Sequence, residues 1–480
     1  MGVFLMHISQ LTFWTIIFFM LGVAQLSFVW VILFVVMMIA WNKCKLFKIP
    51  FILCLLMVAW YGGMMRYQSF IPDTNLIPYE QEVRFTGYLK QPPVNTHDAQ
   101  KLYIVTEAFA GDVYVKTGVF PEYQYGEVMN INCRLLKPEP FDTFAFDKYL
   151  ARYGVLSICQ QAQIYPTGEI AGNPIYHQLY NIRDWFRQVI REIWPEPVAS
   201  LLLGVILGIQ DDIPDDIVEQ FRITGTIHIL VVSGMHVMII AQLLSRVGLR
   251  WLSYRRLIFL VAVALFAFCV ITGLAASVVR ASIMGILPLL AKAFFRRPVM
   301  HYSLAAVAGL MVLVNPYILL HDAGFQLSFL ATVGLVYFQP LADKICWWMP
   351  RQFTIRETLS TTLAATLTTT PFVMSTFGML SVVNIISNLI VVPISTIMLF
   401  AGFGVVIANQ IAPMLTKYAA YVLWLLVSAM LEFIARLSAL PWAMIDDIQV
   451  PKIVTLATYA LITLYIIWSV HKKSSSQLSS

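Results

Sequence analysis

Long stretches without any charged residue constrain this chain more than any other feature of its sequence. No Asp, Glu, Lys or Arg occurs between Glu357 and Lys417, and further uncharged runs cover residues 223–245, 257–279, 298–321, 323–342 and 453–470. A helix that crosses a membrane needs about 20 predominantly apolar residues. Charged residues make up 12% of the chain, about half of the share found in soluble domains. We therefore predict a polytopic α-helical membrane protein with roughly ten to twelve spans.

Clusters of basic residues predict which loops lie in the cytoplasm. They occur at Lys43, Lys45 and Lys48, at 246–256, at 292–297, at 344–356, and in the tail at Lys472 and Lys473. Loops rich in Lys and Arg stay on the cytoplasmic side of a membrane. This assigns residues 1–66 to N-terminal anchor helices, 197–471 to the main transmembrane domain and 472–480 to a cytoplasmic Ser-rich tail. The same rule predicts that the chain after residue 66 lies on the outer side of the membrane.

Residues 67–178 differ from the rest, because they carry 8 Lys or Arg and 12 Asp or Glu and contain no run long enough to span. Alternating or β-rich stretches separated by Pro, Gly, Asn and Asp predict strands. These strands cover 82–91, 102–108, 112–118, 127–136 and 154–164, with a short helix at 141–152 (FDTFAFDKYLAR). Five strands with a helix between the fourth and fifth are typical of a small β-barrel of OB type, although other small β folds fit too. We predict an inserted extracytoplasmic β domain.

Cys133 and Cys159 lie in the last two predicted strands. A domain outside the cytoplasm permits a disulfide between them. The alternative, two reduced and buried thiols, fits the sequence equally well. The six cysteines include no C-x-x-C pair and no Cys/His cluster of metal-binding spacing, so we expect no metal site and no cofactor.

Residues 179–196 place apolar side chains at helical spacing, with Arg183, Arg187 and Arg191 on the other side. This pattern predicts an amphipathic helix in the membrane interface. The apolar run 198–209 that follows is too short to cross, and we expect it to be re-entrant.

The segment 221–240, FRITGTIHILVVSGMHVMII, concentrates polar residues inside an apolar stretch. They are Arg222, Thr224, His228, Ser233 and His236, accompanied by Gly225 and Gly234. His228 and His236 share a face if the helix is unbroken, but Gly234 makes an interruption plausible. Polar, Gly-broken helices line transport sites. The alternative is that these groups form hydrogen bonds between packed helices.

Three further polar clusters occur in apolar surroundings. They supply Arg280, then Asp322, Gln326 and Ser328, and then Asn384 and Asn388. A charged Arg in the membrane costs at least ~2.5 kcal/mol unless it is paired or hydrated. Arg280 and Asp322 are therefore a candidate ion pair, although Asp322 is also placed to cap the helix that follows. None of these clusters forms a catalytic triad or a metal-ligand set, and no nuclease or ATPase motif is present, so we predict no enzyme in this chain.

Several of these segments resemble the ComEC family of competence proteins. The resemblance rests on LLLGVILGIQDDIPDDIVEQFRITGTIHILVVSGMHV, followed in order by GLAASVVRASIM, DAGFQLSFLATVGL and NIISNLIVVPI. Upstream, Phe144, Tyr149 and Leu150 match the family's F-D-x-x-x-Y-L helix, but Ala145 stands where that pattern has Asp. Asp147 lies two residues further on. The resemblance covers essentially residues 1–471.

The resemblance implies an inner-membrane channel for single-stranded DNA in natural transformation, with residues 197–471 as the channel domain. The residues that would line or brace the pathway are Arg222, Thr224, Gly225, His228, Ser233, Gly234, His236, Arg280, Asp322, Gln326, Ser328, Asn384 and Asn388. Implied partners are single-stranded DNA, a separate nuclease, a cytoplasmic helicase-like ATPase, a periplasmic DNA-binding receptor and membrane lipid.

Two departures from the family leave other functions open. Many relatives carry a C-terminal metallo-β-lactamase-like nuclease, whereas this sequence has no H-x-H-x-D-H segment, so we expect a separate nuclease or a truncated form. The charge of residues 67–178 is −4 from 8 basic and 12 acidic residues, although a phosphate-binding surface should be basic. Tyr88, Tyr103, Tyr114, Tyr123 and Tyr125 are candidate stacking platforms. The alternative functions are transport of another solute on the same fold, or a scaffold that recruits a nuclease.

Overall fold

The computed structural model describes residues 2–24, 49–70, 74, 77–96, 99–140, 145–210, 213–294, 300–350 and 355–478. The predicted cytoplasmic loop with Lys43, Lys45 and Lys48 lies outside the described residues, and so does Phe144. By its internal contacts the chain divides into two compact units. The first unit is Met1–Asn181 with Leu244–Gln326, and the second is Ile182–Leu243 with Leu327–Ser480.

Helices make up most of both units. In chain order they are α1 (Gly2–Val23), α2 (Ile49–Gln68), α3 (Phe146–Ala151), α4 (Pro174–Ile193), α5 (Val198–Leu207), α6 (Asp215–Ile223), α7 (Gly234–Gly248), α8 (Tyr254–Ile271), α9 (Ala276–Ala293), α10 (Met300–Val314), α11 (Ile318–His321), α12 (Ala323–Ile345), α13 (Ile355–Phe377), α14 (Asn384–Asn409), α15 (Pro413–Ser438) and α16 (Lys452–Leu478).

Six helical segments among the described residues are long and apolar enough to cross a membrane. They are Ile227–Gly248, Tyr254–Ile271, Ala276–Ala293, Ala323–Ile345, Asn384–Asn409 and Pro413–Ser438. Shorter apolar helices cover Thr12–Val23, Val198–Leu207, Met300–Val314 and Ile453–Ile466. These helices support a multi-pass membrane protein, and the total of ten to twelve spans stays a prediction.

The first unit contains a β-sheet inserted between α2 and α4. Its strands are β1 (Glu82–Leu89), β2 (Val94–Thr96), β3 (Ala99–Thr106), β4 (Asp112–Thr117), β5 (Glu127–Leu136) and β6 (Val155–Ile170). The strand order is β1-β5-β6-β4-β3-β2, and β1 also pairs with β3. The β4–β6 pair is parallel, whereas the other pairs in this sheet are antiparallel.

The alternation that predicted the strands also determines what the sheet buries. In β1, Phe85 and Leu89 are buried whereas Arg84 and Thr86 are exposed, since successive side chains point to opposite faces. The three-residue strand β2 was not predicted, because it is too short to show alternation. β6 extends to Ile170 rather than to residue 164 and includes Pro166 and Gly168. Helix α3 covers Phe146–Ala151, and residues 141–144 of the predicted helix 141–152 lie outside the described residues.

Cys133 of β5 and Cys159 of β6 form a disulfide, with their Cα atoms 5.7 Å apart. Both cysteines are buried. The crosslink joins two neighbouring strands of the sheet, which are also hydrogen-bonded along most of their length.

In the second unit, the short helix α5 is buried at every position from Val198 to Leu207. It packs against α14, with Ile206 facing Gly402. A ten-residue helix cannot cross the hydrocarbon core. The burial of α5 and its packing on α14 show that it is enclosed by protein. Its re-entrant path stays a prediction.

Replacing Cys133 with Ser should destabilise the sheet by about 3 kcal/mol, because the crosslink closes a loop of sequence separation 26. Limited proteolysis of the purified protein over a urea series measures this change as an earlier onset of cleavage between β5 and β6. Cys346→Ser is the control, since Cys346 is buried but free. Equal cleavage of wild type and Cys133→Ser without reductant would contradict the expectation.

Candidate functional site

The polar segment 221–240 is interrupted, as the glycines in it suggested. Helix α6 ends at Ile223, a 3₁₀ turn covers Ile227–Ile229, and α7 starts only at Gly234. His228 therefore lies in the 3₁₀ turn and His236 in the first turn of α7. The two histidines belong to separate elements and do not share the face of one continuous helix.

Gly225 terminates α6 by a hydrogen-bonding pattern that needs a left-handed residue. Thr226 N–H donates to Phe221 O at 2.9 Å and Gly225 N–H donates to Arg222 O at 3.1 Å, which is the Schellman pattern. Gly225 has φ +71°, a conformation that glycine adopts without steric cost. The Thr-Gly pair at 224–225 is thus a helix-stop signal, and it turns the chain toward the 3₁₀ segment.

The carbonyl group of Thr224 at this helix end is satisfied by α14. Ser387 Oγ lies 2.7 Å from Thr224 O, and both residues are fully buried. Thr224 Oγ1 in turn lies 2.9 Å from Thr226 Oγ1. Ser387 and Thr226 were not singled out from the sequence, because a hydroxyl among apolar residues is a common helix-packing feature.

Asn384, the first residue of α14, holds three parts of the second unit together. Its Nδ2 donates to Thr366 Oγ1 of α13 at 3.3 Å, and its Oδ1 accepts a hydrogen bond from Asn388 Nδ2 at 2.5 Å. A Cβ on Gly225 would lie 3.0 Å from the Asn384 side chain. The predicted i, i+4 pair of asparagines is therefore part of the packing around the interrupted segment.

His236 is fully buried, and neither of its ring nitrogens has a hydrogen-bond partner among the described residues. Asn388 Oδ1 is also buried without a partner there. Buried polar atoms without partners are rare in proteins, and each one points to a ligand, a water or a functional role. His228, in contrast, is exposed, and Ser233 Oγ accepts only a long contact from His236 N–H at 3.5 Å.

Arg222 is held by a carboxylate. Its Nε and Nη2 each donate to Glu219 at 2.7 Å, and its Nη1 lies 3.5 Å from Met379 Sδ. The hydrogen-bonded Arg222 guanidinium lowers the pKa of the Glu219 carboxyl below its ordinary value. Both groups are therefore charged at neutral pH, and the positive charge of Arg222 is largely balanced.

In the first unit, Asp322 forms its ion pair with Arg152 and not with Arg280. Arg152 Nη1 and Asp322 Oδ2 are 2.5 Å apart, with only 11% and 14% of the two side chains exposed. Asp322 Oδ1 also accepts from Phe325 N–H at 3.1 Å and so caps α12, as the sequence suggested. Arg280 lies in α9, where its Nη1 is 3.6 Å from Met284 Sδ.

Arg152 is a residue that the sequence analysis missed. It follows α3 in the sheet region, and its guanidinium carbon lies 4.3 Å and 4.5 Å from the ring centroids of Tyr149 and Tyr153. It donates to Tyr153 Oη at 2.7 Å, while Asn315 Nδ2 donates to Arg152 O at 2.7 Å. Burial raises the pKa of Tyr153 to about 12, so this hydroxyl is neutral at physiological pH. Arg152 thus joins the sheet region to the start of α12.

Gln326 and Ser328, the remaining predicted residues, take part in hydrogen bonds with residues close to them in the sequence. Gln326 Nε2 donates to Leu319 O at 2.7 Å, and Ser328 O accepts from Thr332 Oγ1 at 2.8 Å. Of the tyrosines suggested as stacking platforms, Tyr103, Tyr123 and Tyr125 are buried. No group of three or more His, Cys, Asp or Glu in the described ranges is placed to hold a metal ion.

Comparisons with known proteins agree on one family. A family model described as "Competence protein" matches residues 205–472, more than half of the chain. The chain is also similar to ComE operon protein 3 of Bacillus subtilis (strain 168), with 22% identity over 227 residues. That alignment covers 47% of this chain and 28% of the relative, so the match spans under a third of the relative's length. No solved structure matches.

Replacing Gly225 with Ala should destabilise the second unit, because an L-residue at φ +71° costs about 1–2 kcal/mol and the added methyl crowds Asn384. A lower melting temperature of the purified protein in detergent measures the loss. Gly404→Ala is the control, since a Cβ there meets nothing within 4 Å. Equal melting temperatures for the two variants would rule out the left-handed cap.

Breaking the Arg152–Asp322 pair should cost about 3–5 kcal/mol, because the remaining charge is left buried. Arg152→Met, Asp322→Asn and the double variant form a cycle, and the double variant should be less destabilised than the sum of the two single variants. Thermal unfolding measures all three. Arg436→Gln, which breaks the exposed Arg436–Glu432 pair, should change stability by less than about 0.5 kcal/mol. Strict additivity in the cycle would disprove the coupling.

Proposed function

The chain belongs to the competence protein family, and from this premise we propose that it forms a channel that passes single-stranded DNA across the inner membrane into the cytoplasm. The family supports a role in DNA uptake during competence. The channel itself is our proposal, and it assigns no catalytic step to this chain.

The observation that carries the proposal is the irregular backbone in the segment Ile227–Gly248, which is otherwise apolar enough to span. Its first residues form a 3₁₀ turn and a non-helical stretch before α7 begins. Irregular backbone at membrane depth is tolerated only where it is enclosed by protein or lines a water-filled cavity. The partnerless ring nitrogens of the buried His236 favour a polar path over a purely structural enclosure.

The proposed pathway gives different tasks to the residues named from the sequence. Gly225, Thr224 and Asn384 fix the shape of the interrupted segment, and His228, Ser233 and His236 offer hydrogen bonds to the strand. Arg280 supplies positive potential for the phosphates. Arg222 contributes only when a phosphate replaces Glu219 as its partner.

We propose that the sheet region is a small barrel of OB type on the outer side of the membrane. Hydrogen-bonded neighbours run from β1 through β5, β6, β4 and β3 back to β1, a cyclic pairing that a closed barrel requires. The disulfide between Cys133 and Cys159 favours an oxidising compartment. We assign the region a bracing role, because the buried Arg152–Asp322 pair ties it to α12 and because three of its candidate stacking tyrosines are buried.

The proposed partners are those that the resemblance to the family implies. They are a separate nuclease that removes the strand left outside, a cytoplasmic helicase-like ATPase that supplies the energy for the passage, and a periplasmic DNA-binding receptor that delivers the duplex. The α4 helix would lie in the membrane interface against lipid.

Replacing Arg280 with Gln should lower DNA uptake about tenfold or more, since a charge-assisted hydrogen bond is worth about 1.5–3 kcal/mol. His236→Ala should lower it less, because a neutral imidazole offers only hydrogen bonds. Import of labelled DNA and transformation frequency in a naturally transformable host measure both effects.

Arg436→Gln is the matched control, because Arg436 is exposed and lies in an ion pair on α15. Immunoblots of the membrane fraction verify that every variant accumulates. Normal uptake with both pathway variants would reject the channel and favour a scaffold that recruits a nuclease. Normal DNA uptake with loss of a small solute's transport would favour the other transporter function.

A further inference from the structure

Five exposed cations form a patch at one end of three helices in the first unit. This basic patch consists of Arg246, Arg250, Arg255, Arg256 and Lys292, and all five are exposed. The sequence contains no Asp or Glu between Glu219 and Asp322. Within the described ranges, none of the five enters an ion pair. Their positive charges therefore add without local compensation.

Specific contacts bring together the helix ends that carry the five cations. Gly248, the last residue of α7, packs closely on Leu257 of α8, so a side chain there would separate the two helices. Tyr254 Oη donates to Leu289 O of α9 at 2.8 Å. Lys292 Nζ lies 5.5 Å from the centre of the Tyr254 ring. The end of α7, the start of α8 and the end of α9 are thus held side by side.

The patch lies at the ends of candidate membrane spans, where a boundary between membrane and water is expected. Its residues sit at the ends of the candidate spans Ile227–Gly248, Tyr254–Ile271 and Ala276–Ala293. Large apolar side chains stand next to the cations, above all Trp251 at 82% and Phe294 at 72% exposure. Val247 and Leu249 are also exposed. Exposed aromatic and apolar groups beside cations at a span end match a lipid headgroup with its first acyl carbons.

We propose that the basic patch is a binding site for an anionic phospholipid, with preference for diphosphatidylglycerol. Two phosphates in one headgroup match a cluster of five cations better than one phosphate does. The acyl chains then cover Val247, Leu249 and Phe294, while Trp251 lies at headgroup level. A DNA strand matches the charge but leaves these apolar side chains in water, so the lipid is the better occupant. This inference is independent of the channel.

The test compares lipid binding by the purified full-length protein in detergent. Native mass spectrometry measures retention of diphosphatidylglycerol against phosphatidylcholine. The triple variant Arg250→Gln, Arg255→Gln, Arg256→Gln should bind diphosphatidylglycerol on the order of a hundredfold more weakly, since each cation near an anionic surface contributes about fivefold. The control triple variant Arg84→Gln, Lys116→Gln, Arg134→Gln removes three exposed cations of the sheet and should bind like wild type.

Trp251→Ala keeps every charge and tests the apolar half of the site. It should weaken binding of diphosphatidylglycerol by about tenfold, and it decides the outcome if the triple variant fails to accumulate. The proposal is overturned if Trp251→Ala and the triple arginine variant both retain diphosphatidylglycerol as wild type does. The proposal is also overturned if a short oligothymidylate binds through the same arginines and diphosphatidylglycerol does not bind there. That result would identify the patch as a nucleic-acid site.

Discussion

The need to satisfy every backbone polar group inside an apolar membrane governs this structure. A continuous helix meets that need without help, whereas the chain between Ile223 and Gly234 does not form one. The Schellman turn at Gly225 satisfies two carbonyls of α6, and Ser387 satisfies the carbonyl of Thr224. The irregular segment is stable because α14 presents a hydroxyl and an asparagine where that segment leaves the helix. From Ile227 onward it lies in the candidate span Ile227–Gly248.

A buried ion pair connects the sheet region to the helices of the first unit. Arg152 and Asp322 are both mostly enclosed, and a buried pair is tolerated only when further hydrogen bonds and close geometry offset its desolvation. The rings of Tyr149 and Tyr153 and the Tyr153 hydroxyl contact the Arg152 guanidinium, and Asn315 donates to the backbone carbonyl of Arg152. Asp322 also caps α12, so displacement of the sheet region would disturb the start of a membrane helix.

Elements that a local pattern determines could be predicted from the sequence. Contacts between residues that are distant in the sequence could not. Alternation located five strands because one side of each must face the core, and it failed for β2 because three residues show no period. Gly234, which indicated the interruption of 221–240, and Asp322, which was placed to cap the helix that follows it, are both local signals. The partner of Asp322 was not, since Arg152 lies 170 positions away by their numbering and looked like one of eight cations in an acidic region. The burial of Tyr103, Tyr123 and Tyr125 likewise depends on tertiary packing that alternation cannot express.

The pairing of Arg222 with Glu219 bears on how a polyanion would pass. A phosphate reaching Arg222 must displace a bidentate carboxylate, so the interaction is an exchange of one anionic partner for another, with little net gain. Weak, exchangeable contacts suit a path, because conduction requires sites that are favourable enough to enter and weak enough to leave. A free arginine in the same place would hold each phosphate more tightly and slow its release. The acidic residue beside Arg222 is therefore compatible with transport of a phosphate backbone.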